Sequence, residues 1–318
     1  MRGEARLRLL DGPTVAALLE PQAVRAAVEQ AFALHSRGEG RTFPVVREPL
    51  EQGVFGIKSG AVPRQALLGY KAAGFWPGNR GQGGEPHQAT IVLHDPATGR
   101  PLSVIDGNAI TTARTAAAGA IGLQRLARPD SRTLCLFGTG VQARAHLAEA
   151  LRVLPALEQV RYCTHRGQPD AAFEAMFADR CALQFAPDAD AAVAASDVVV
   201  TATPASGPLF GLDAVRPGTH VNAVGADTRG KRELPEGLLA RALLVVDDRT
   251  QARALGEAQW APDVPCTEIG ALPALPRAPD AITVFDLTGL ALQDLAVARL
   301  VLARAEAQGL GLDIAWPW

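Results

Sequence analysis

The chain has 318 residues, of which 48% are hydrophobic and 20% charged. This composition suits one large or two ordinary globular domains with a substantial core and excludes disorder. A formal net charge of −2 favours neither nucleic acid nor an anionic membrane, so no such partner is expected.

Arg2, Glu4, Arg6, Arg8 and Asp11 leave no apolar stretch for a leader peptide, and no apolar run approaches the length of a membrane span. A cytoplasmic protein is the expectation. Cys135, Cys163, Cys181 and Cys266 form no CxxC pair and have no histidine at zinc spacing. They read as small apolar residues, with neither a structural disulfide nor a metal site.

In chain order, Val15, Leu18, Leu19, Val24, Val28 and Phe32 recur at helical spacing, predicting one helix over Thr14–Ser36. Short strand-like runs and glycine turns follow, and the segment from Pro77 to Pro86 reads as a loop. The runs Ala89–His94 and Leu102–Ile105 flank a turn at 95–99 and predict a hairpin. An alanine-rich helix comes next, with Thr111 or Thr112 as its N-cap.

From about residue 132 short β runs alternate with amphipathic helices. The predicted strands are Thr133–Phe137, Val160–Thr164, Asp197–Ala202, His220–Val224 and Leu243–Val246. Between them lie helices over Val141–Leu154, Pro169–Asp179 and Ala189–Ala195. Such alternation predicts an α/β fold with a parallel, doubly wound sheet. A strand at Ile282–Phe285 and a helix at Leu290–Gln308 end the series. That last helix is expected to return to the first domain, which makes the first domain discontinuous: 1–125 with 293–318, around a central 126–292.

The central part opens with a buried strand, then Gly138-Thr139-Gly140-Val141-Gln142-Ala143, then a helix. In this context Gly138 permits the tight turn, Gly140 admits a pyrophosphate to the backbone, and Ala143 lets the helix pack on the sheet. The helix N-terminus offers free N–H groups and partial positive charge to phosphates. NAD-preferring versions place an acidic residue about 20 residues on, at the ribose 2′-hydroxyl. Here the second strand ends in Thr164-His165-Arg166, with no carboxylate until Asp170. These groups suit a 2′-phosphate, so NADP(H) is the preferred cofactor and NAD(H) a possible one. The competing reading makes Arg166 an ordinary surface residue.

Several polar residues stand in apolar settings. Arg114, read in the first turn of its helix, opposes the dipole and points to an anionic partner, or else lies on the surface. Lys71, within an apolar strand, is either a ligand residue or half of an internal salt bridge. Lys58 is a second, weaker case. Asp227 follows the strand His220–Val224, at the end where doubly wound sheets bind ligands, or else caps a turn.

Taken together, the motifs resemble the ornithine cyclodeaminase/μ-crystallin family over nearly the whole chain. They are Lys71 with Pro77 and Asn79, His87–Thr90, Asp106–Asn108 through Arg114, Gly138–Ala143, Thr201–Thr203, Pro217–Asp227, Val245–Asp248 and Phe285–Gly289. The resemblance implies a homodimer, with a substrate-binding and dimerisation domain from both chain ends and a central Rossmann domain. It implies that Arg47, Lys71 and Arg114 clamp a substrate carboxylate, with Lys58 nearby, and that Lys71 and Asp227 are the catalytic residues, Asp227 as the carboxylate at the substrate nitrogen. Gly138, Thr139, Gly140, Val141 and Gln142 correspond to pyrophosphate contacts, and Thr164, His165 and Arg166 to the adenosine ribose. His87, Gln88, Arg114, Thr115, Thr203, Val224 and Lys231 correspond to further cofactor contacts, with Leu287 and Thr288 at the nicotinamide.

Two departures bear on the reaction. Lys58-Ser59-Gly60 replaces a Met-Pro-Ala frequent in the family, and Gly56 stands where ornithine-cyclising members carry a glutamate. The expectation is therefore an NAD(P)H-dependent reductase of cyclic imine carboxylates, of the Δ1-pyrroline-2-carboxylate or Δ1-piperideine-2-carboxylate type. The alternatives are an ornithine cyclodeaminase, an amino-acid dehydrogenase such as an alanine dehydrogenase, and a non-enzymatic, NADP-bound small-molecule binder.

Overall fold

The computed structural model describes residues 5–273 and 278–317. It divides into two compact units, one taking the chain up to Arg114 and again from Leu290, the other Thr115–Gly289.

The first unit opens with β1 (Arg6–Leu10), α1 (Gly12–Leu18) and α2 (Pro21–Ser36). The single helix expected over this stretch is two. Asp11 caps the first by accepting from Thr14 N, and Glu20 caps the second by accepting from Gln22 N and Ala23 N. Pro21 causes the break, since it disfavours helical backbone in the preceding residue yet suits the first position of a new helix. Strands β2 (Arg41–Thr42), β3 (Val46–Leu50), β4 (Gly53–Val62), β5 (Leu67–Phe75), β6 (His87–His94) and β7 (Pro101–Asp106) follow. The loop expected after Pro77 contains a short 3-10 turn, Pro77–Gln82. Strands β6 and β7 pair antiparallel, as the hairpin pattern predicted.

Helix α3 spans Asn108–Leu126, and the division between the units falls within it. Its start corrects the expected Thr111 or Thr112 cap. Asp106 Oδ1 accepts from Asn108 N, and Gly107 O accepts from Thr111 N, so the helix begins earlier. Arg114 consequently lies in the second turn, where backbone N–H groups are already bonded within the helix. The first-turn anion argument for Arg114 fails for that reason.

The central unit runs β8 (Thr133–Phe137), α4 (Val141–Val153), β9 (Gln159–Cys163), α5 (Ala171–Phe177), β10 (Ala182–Phe185), α6 (Ala189–Ala194), β11 (Val198–Thr201) and β12 (His220–Ala223). It continues through α7 (Leu238–Arg241), β13 (Ala242–Val246), α8 (Arg249–Leu255), β14 (Cys266–Glu268) and β15 (Ile282–Asp286). The sheet order is β10-β9-β8-β11-β12-β15-β13-β14, all neighbours parallel. Strand β11 is buried throughout, as expected for a sheet covered on both faces. The order reverses between β8 and β11, the switch point at which such sheets bind ligands.

The chain then rejoins the first unit as α9 (Ala291–Gln308) and β16 (Leu312–Ala315). The first sheet has the order β16-β1-β7-β6-β5-β4-β2, with β3 also paired to β4. Helix α9 packs on α2 and against β4, β5 and β6. Its first turns are buried all round, including Gln293 and Asp294. All four cysteines are free, Cys135 and Cys163 being buried.

Candidate functional site

In the first unit, α9 brings a carboxylate to the two cations singled out in the sequence. Asp294 Oδ1 accepts from Lys71 Nζ at 2.8 Å and from Arg114 Nε at 2.9 Å. All three residues are buried. Lys71 Nζ also reaches Thr111 Oγ1 at 3.3 Å, and Arg114 Nη1 donates to Gln293 Oε1 at 3.3 Å. Lys71 is thus half of an internal salt bridge, with Arg114 on the same oxygen.

Lys58 stands opposite Lys71 in the β4–β5 register. Burial, together with repulsion from Arg114 and Lys58, pulls Lys71 down to about 7 despite Asp294. Burial works to raise Asp294, but Arg114 and Lys71 outweigh it and hold its carboxyl below the usual range. His87, whose Nδ1 lies 3.1 Å from Asn108 Oδ1, is lowered by burial and then by Lys71. Two polar atoms of this cluster, Asp294 Oδ2 and Gln293 Nε2, are buried with no hydrogen-bond partner. Such atoms are costly unless something completes them, which is what a polar ligand does.

Arg47 is exposed on β3, opposite Gly56, and takes no part in the bonds to Asp294. A Cβ added at Gly56 would lie 2.9 Å from Val46 O, so the backbone of β3 crowds any side chain there. Gln88 is exposed and donates to Glu85 O.

In the central unit Gly138 adopts φ +99°, and a Cβ there would approach Ala202 O to 3.1 Å. Only glycine takes that conformation without strain. Gly140 is the N-cap of α4, without a side-chain cap, and a Cβ added there would meet nothing within 4 Å. Ala143 is fully buried beneath it. The uncapped helix start and the clear space fit a dinucleotide pyrophosphate. Val141 is exposed, and Gln142 Oε1 is buried without a partner.

After β9, Thr164 closes a turn by donating to Gln168 O and accepting from Gln168 N, which leaves His165 and Arg166 exposed. Asp170 caps α5 by accepting from Phe173 N, and the Thr139 hydroxyl bonds to it as well.

Asp227 lies beyond the end of β12, partly exposed. Its Oδ1 accepts from Lys231 Nζ at 2.7 Å and from Thr228 Oγ1 at 3.0 Å. Val224, Leu287, Thr288 and Thr115 are buried. Thr203 gives both its N–H and its hydroxyl to Glu233, and Thr288 gives both to Asp247.

Sequence reasoning missed Asp294, Gln293 and Glu233, and gave Asp247 no role beyond its place in the Val245–Asp248 motif. The first two left a trace, as polar neighbours in an otherwise apolar run from Gly289 to Ala298. Among the described residues no group of three or more histidine, cysteine or carboxylate side chains could hold a metal, and no helix is long and apolar enough to cross a membrane.

The glycine turn, the open start of α4 and the parallel sheet define an α/β protein built around a dinucleotide cradle. The chain belongs to the Ornithine cyclodeaminase/mu-crystallin family, which it matches over residues 11–309. It is similar to the iminosuccinate reductase of Paracoccus denitrificans, at 35% identity over 94% of this chain and 97% of the relative. An archaeal alanine dehydrogenase dimer with bound NAD superposes with a TM-score of 0.92 at 33% identity, covering 98% of this chain and all of that one. The Δ1-pyrroline-2-carboxylate reductase of Thermococcus litoralis, in complex with NADH and L-proline, gives a TM-score of 0.86 at 26% identity, covering 96% and 100%. These relatives are named as reductases or dehydrogenases of imino or amino acids, and the two solved structures hold NAD or NADH.

Proposed function

We propose that the protein, as a homodimer, reduces the C=N bond of a cyclic imine carboxylate such as Δ1-pyrroline-2-carboxylate or Δ1-piperideine-2-carboxylate. The observation that carries this reading is the buried Lys71–Asp294–Arg114 cluster with Lys58 opposite. One carboxylate shared by two cations pre-orients both, and Lys58 adds positive charge beside them. A substrate carboxylate bound there by charge-assisted hydrogen bonds gains specificity as well as affinity. Arg47 supplies a further, exposed cation.

Gly138–Gln142 would hold the pyrophosphate of a reduced nicotinamide dinucleotide, with Leu287 and Thr288 at its nicotinamide; when bound, it would supply the hydride. The chain's own residues hold the carboxylate through Lys71 and Arg114, and Asp227 stabilises the protonated imine nitrogen or protonates it. Lys231, bonded to Asp227, fixes the orientation of that carboxyl. NADP(H) is the preferred dinucleotide in this reading, with NAD(H) usable. It is supported by the exposed His165 and Arg166 after β9 and by the commitment of Asp170 to α5 and Thr139.

Reduction is favoured over cyclodeamination by the crowding at Gly56. A distal substrate ammonium needs a nearby carboxylate, and β3 leaves no room there for one. A second reading is an open-chain imino acid of the iminosuccinate type. It is favoured by Lys58, whose charge a second substrate carboxylate can use.

The test is incubation with ornithine and NAD, assayed for proline and ammonia, beside oxidation of NADPH with the cyclic imines. Imine reduction with little ammonia is expected. Efficient conversion of ornithine without imine reduction would make the cyclodeaminase the correct assignment.

A further inference from the structure

Glu233 is fully buried in the central unit, between the ends of two neighbouring strands. Its Oε1 accepts from Thr203 N and Thr203 Oγ1, both at 2.7 Å. Its Oε2 accepts from Thr201 Oγ1 at 2.7 Å and from Gly225 N at 2.8 Å. One carboxylate therefore ties the segment leaving β11 to the segment leaving β12. Its grip is close, since a Cβ at Gly225 would come within 2.6 Å of Glu233 Cδ.

Glu233 is itself held from behind. Glu257 Oε1 accepts from Glu233 N at 2.6 Å, and Asp286 Oδ2 at the end of β15 accepts from Ala258 N at 2.9 Å. Three buried acids thus run in series from β15 to the loops after β11 and β12, each accepting from backbone N–H groups of the next segment. Burying a carboxylate without a cation is expensive. Four donors on one side chain are the arrangement that makes it sustainable and the loops rigid.

We propose that Glu233 is a positioning residue of the reaction, one that sets Thr203 and the Asp227 loop in a single fixed arrangement. This assignment rests on the proposed function, in which Asp227 acts at the substrate nitrogen, and on the family resemblance, which makes Thr203 a cofactor contact. The link to Asp227 is short: Asp227 N donates to Gly225 O, and Gly225 N donates to Glu233. Lys231, which bonds the Asp227 carboxylate, lies two residues before Glu233.

The perturbation is Glu233→Gln. Each carboxylate oxygen serves one backbone N–H, Thr203 on one and Gly225 on the other. A threonine hydroxyl can rotate to accept from an amide, but a backbone N–H cannot. Gln therefore satisfies one strand end and leaves the other facing its NH2 group. The loss of one charge-assisted hydrogen bond in a buried site corresponds to about a 10- to 100-fold effect.

The readouts are the Kd for NADPH, from nucleotide fluorescence, and separate kcat and KM values on the intact protein. Glu233→Gln is expected to raise the NADPH Kd by about 10-fold or more and to lower kcat, because with one strand end released the two loops no longer share a single fixed arrangement. Thr201→Val is the second variant, for use if Glu233→Gln does not fold. Thr201 is a fully buried strand residue, and its hydroxyl serves Glu233. It is expected to shift Kd and kcat in the same direction, by a few-fold.

A wild-type protein that binds NADPH, with variants that lose only thermal stability and keep Kd and kcat, would overturn the assignment and leave the proposed function standing. A wild-type protein that binds no dinucleotide would instead remove the proposed function, and the role of Glu233 with it.

Discussion

Asp294→Asn is the most informative single change, because it removes one negative charge and almost no volume. In the native cluster Asp294 Oδ1 compensates Lys71 and Arg114 at 2.8 and 2.9 Å. Removing one partner of a buried ion pair costs about 3–5 kcal/mol, mainly through the charge left behind. Two cations are left behind here, but they differ. Lys71, already lowered to about 7, releases its proton at little cost, whereas Arg114 cannot. The residual penalty is therefore that of one buried guanidinium, about 3 kcal/mol.

At roughly 2–4 °C per kcal/mol for a chain of this size class, Tm should fall by about 6–12 °C. A carboxylate ligand replaces the missing charge, so proline or a similar acid should recover more Tm in the variant than in the wild type. Scanning fluorimetry with and without the acid measures both quantities. An Asn variant that melts within 2 °C of wild type (a bound set by roughly the 1 kcal/mol resolution of such shifts) would refute the claim that Asp294 compensates two buried charges.

Asp227→Ala should lower kcat at least ~100-fold, the lower range for a positioned proton donor, while NADPH fluorescence titration shows retained binding. Near-normal turnover would place the proton donor elsewhere. Arg166→Ala should abolish the preference for NADPH over NADH in kcat/KM and leave NADH kinetics nearly unchanged; equal use of both by the wild type would refute that assignment. Lys71 also predicts a pH dependence. Its folded value of about 7 lies below the ordinary 10.5, so between these the unfolded chain binds more protons at this side chain. The Lys71 contribution to stability thus rises with pH across that window, and Lys71→Met should lose this slope in denaturant melts. In the same free enzyme, kcat/KM for a carboxylate substrate should fall as pH rises above about 7, where Lys71 loses its charge.

The central sheet was legible because its strands are short buried runs separated by helical spacing and sharp turns. Strands β8, β9, β11, β12, β13 and β15 all lie where apolar runs stand in the sequence. The edge strands β10, β14 and β16 were not, since short half-exposed edges carry little pattern. The start of α3 was misplaced because the cap came from Asp106 and Gly107 rather than from a threonine.

Lys71 and Arg114 were conspicuous as cations in apolar surroundings, but their partner was not. Asp294 lies 223 residues from one and 180 from the other, and no local rule links positions so distant. Glu233 was hidden for a similar reason. It reads as one charge in a polar loop, and only the parallel pairing of β11 with β12 gathers its donors around it.

The most direct measurement compares kcat/KM, with NADPH, for Δ1-pyrroline-2-carboxylate and for the same ring without its carboxylate. Two charge-assisted hydrogen bonds from Lys71 and Arg114, at about 1.5–3 kcal/mol each, predict a ratio on the order of 10² to 10⁴ in favour of the acid. Equal values for the two rings, or no oxidation of NADPH with either, would contradict a carboxylate-anchored reduction of the C=N bond.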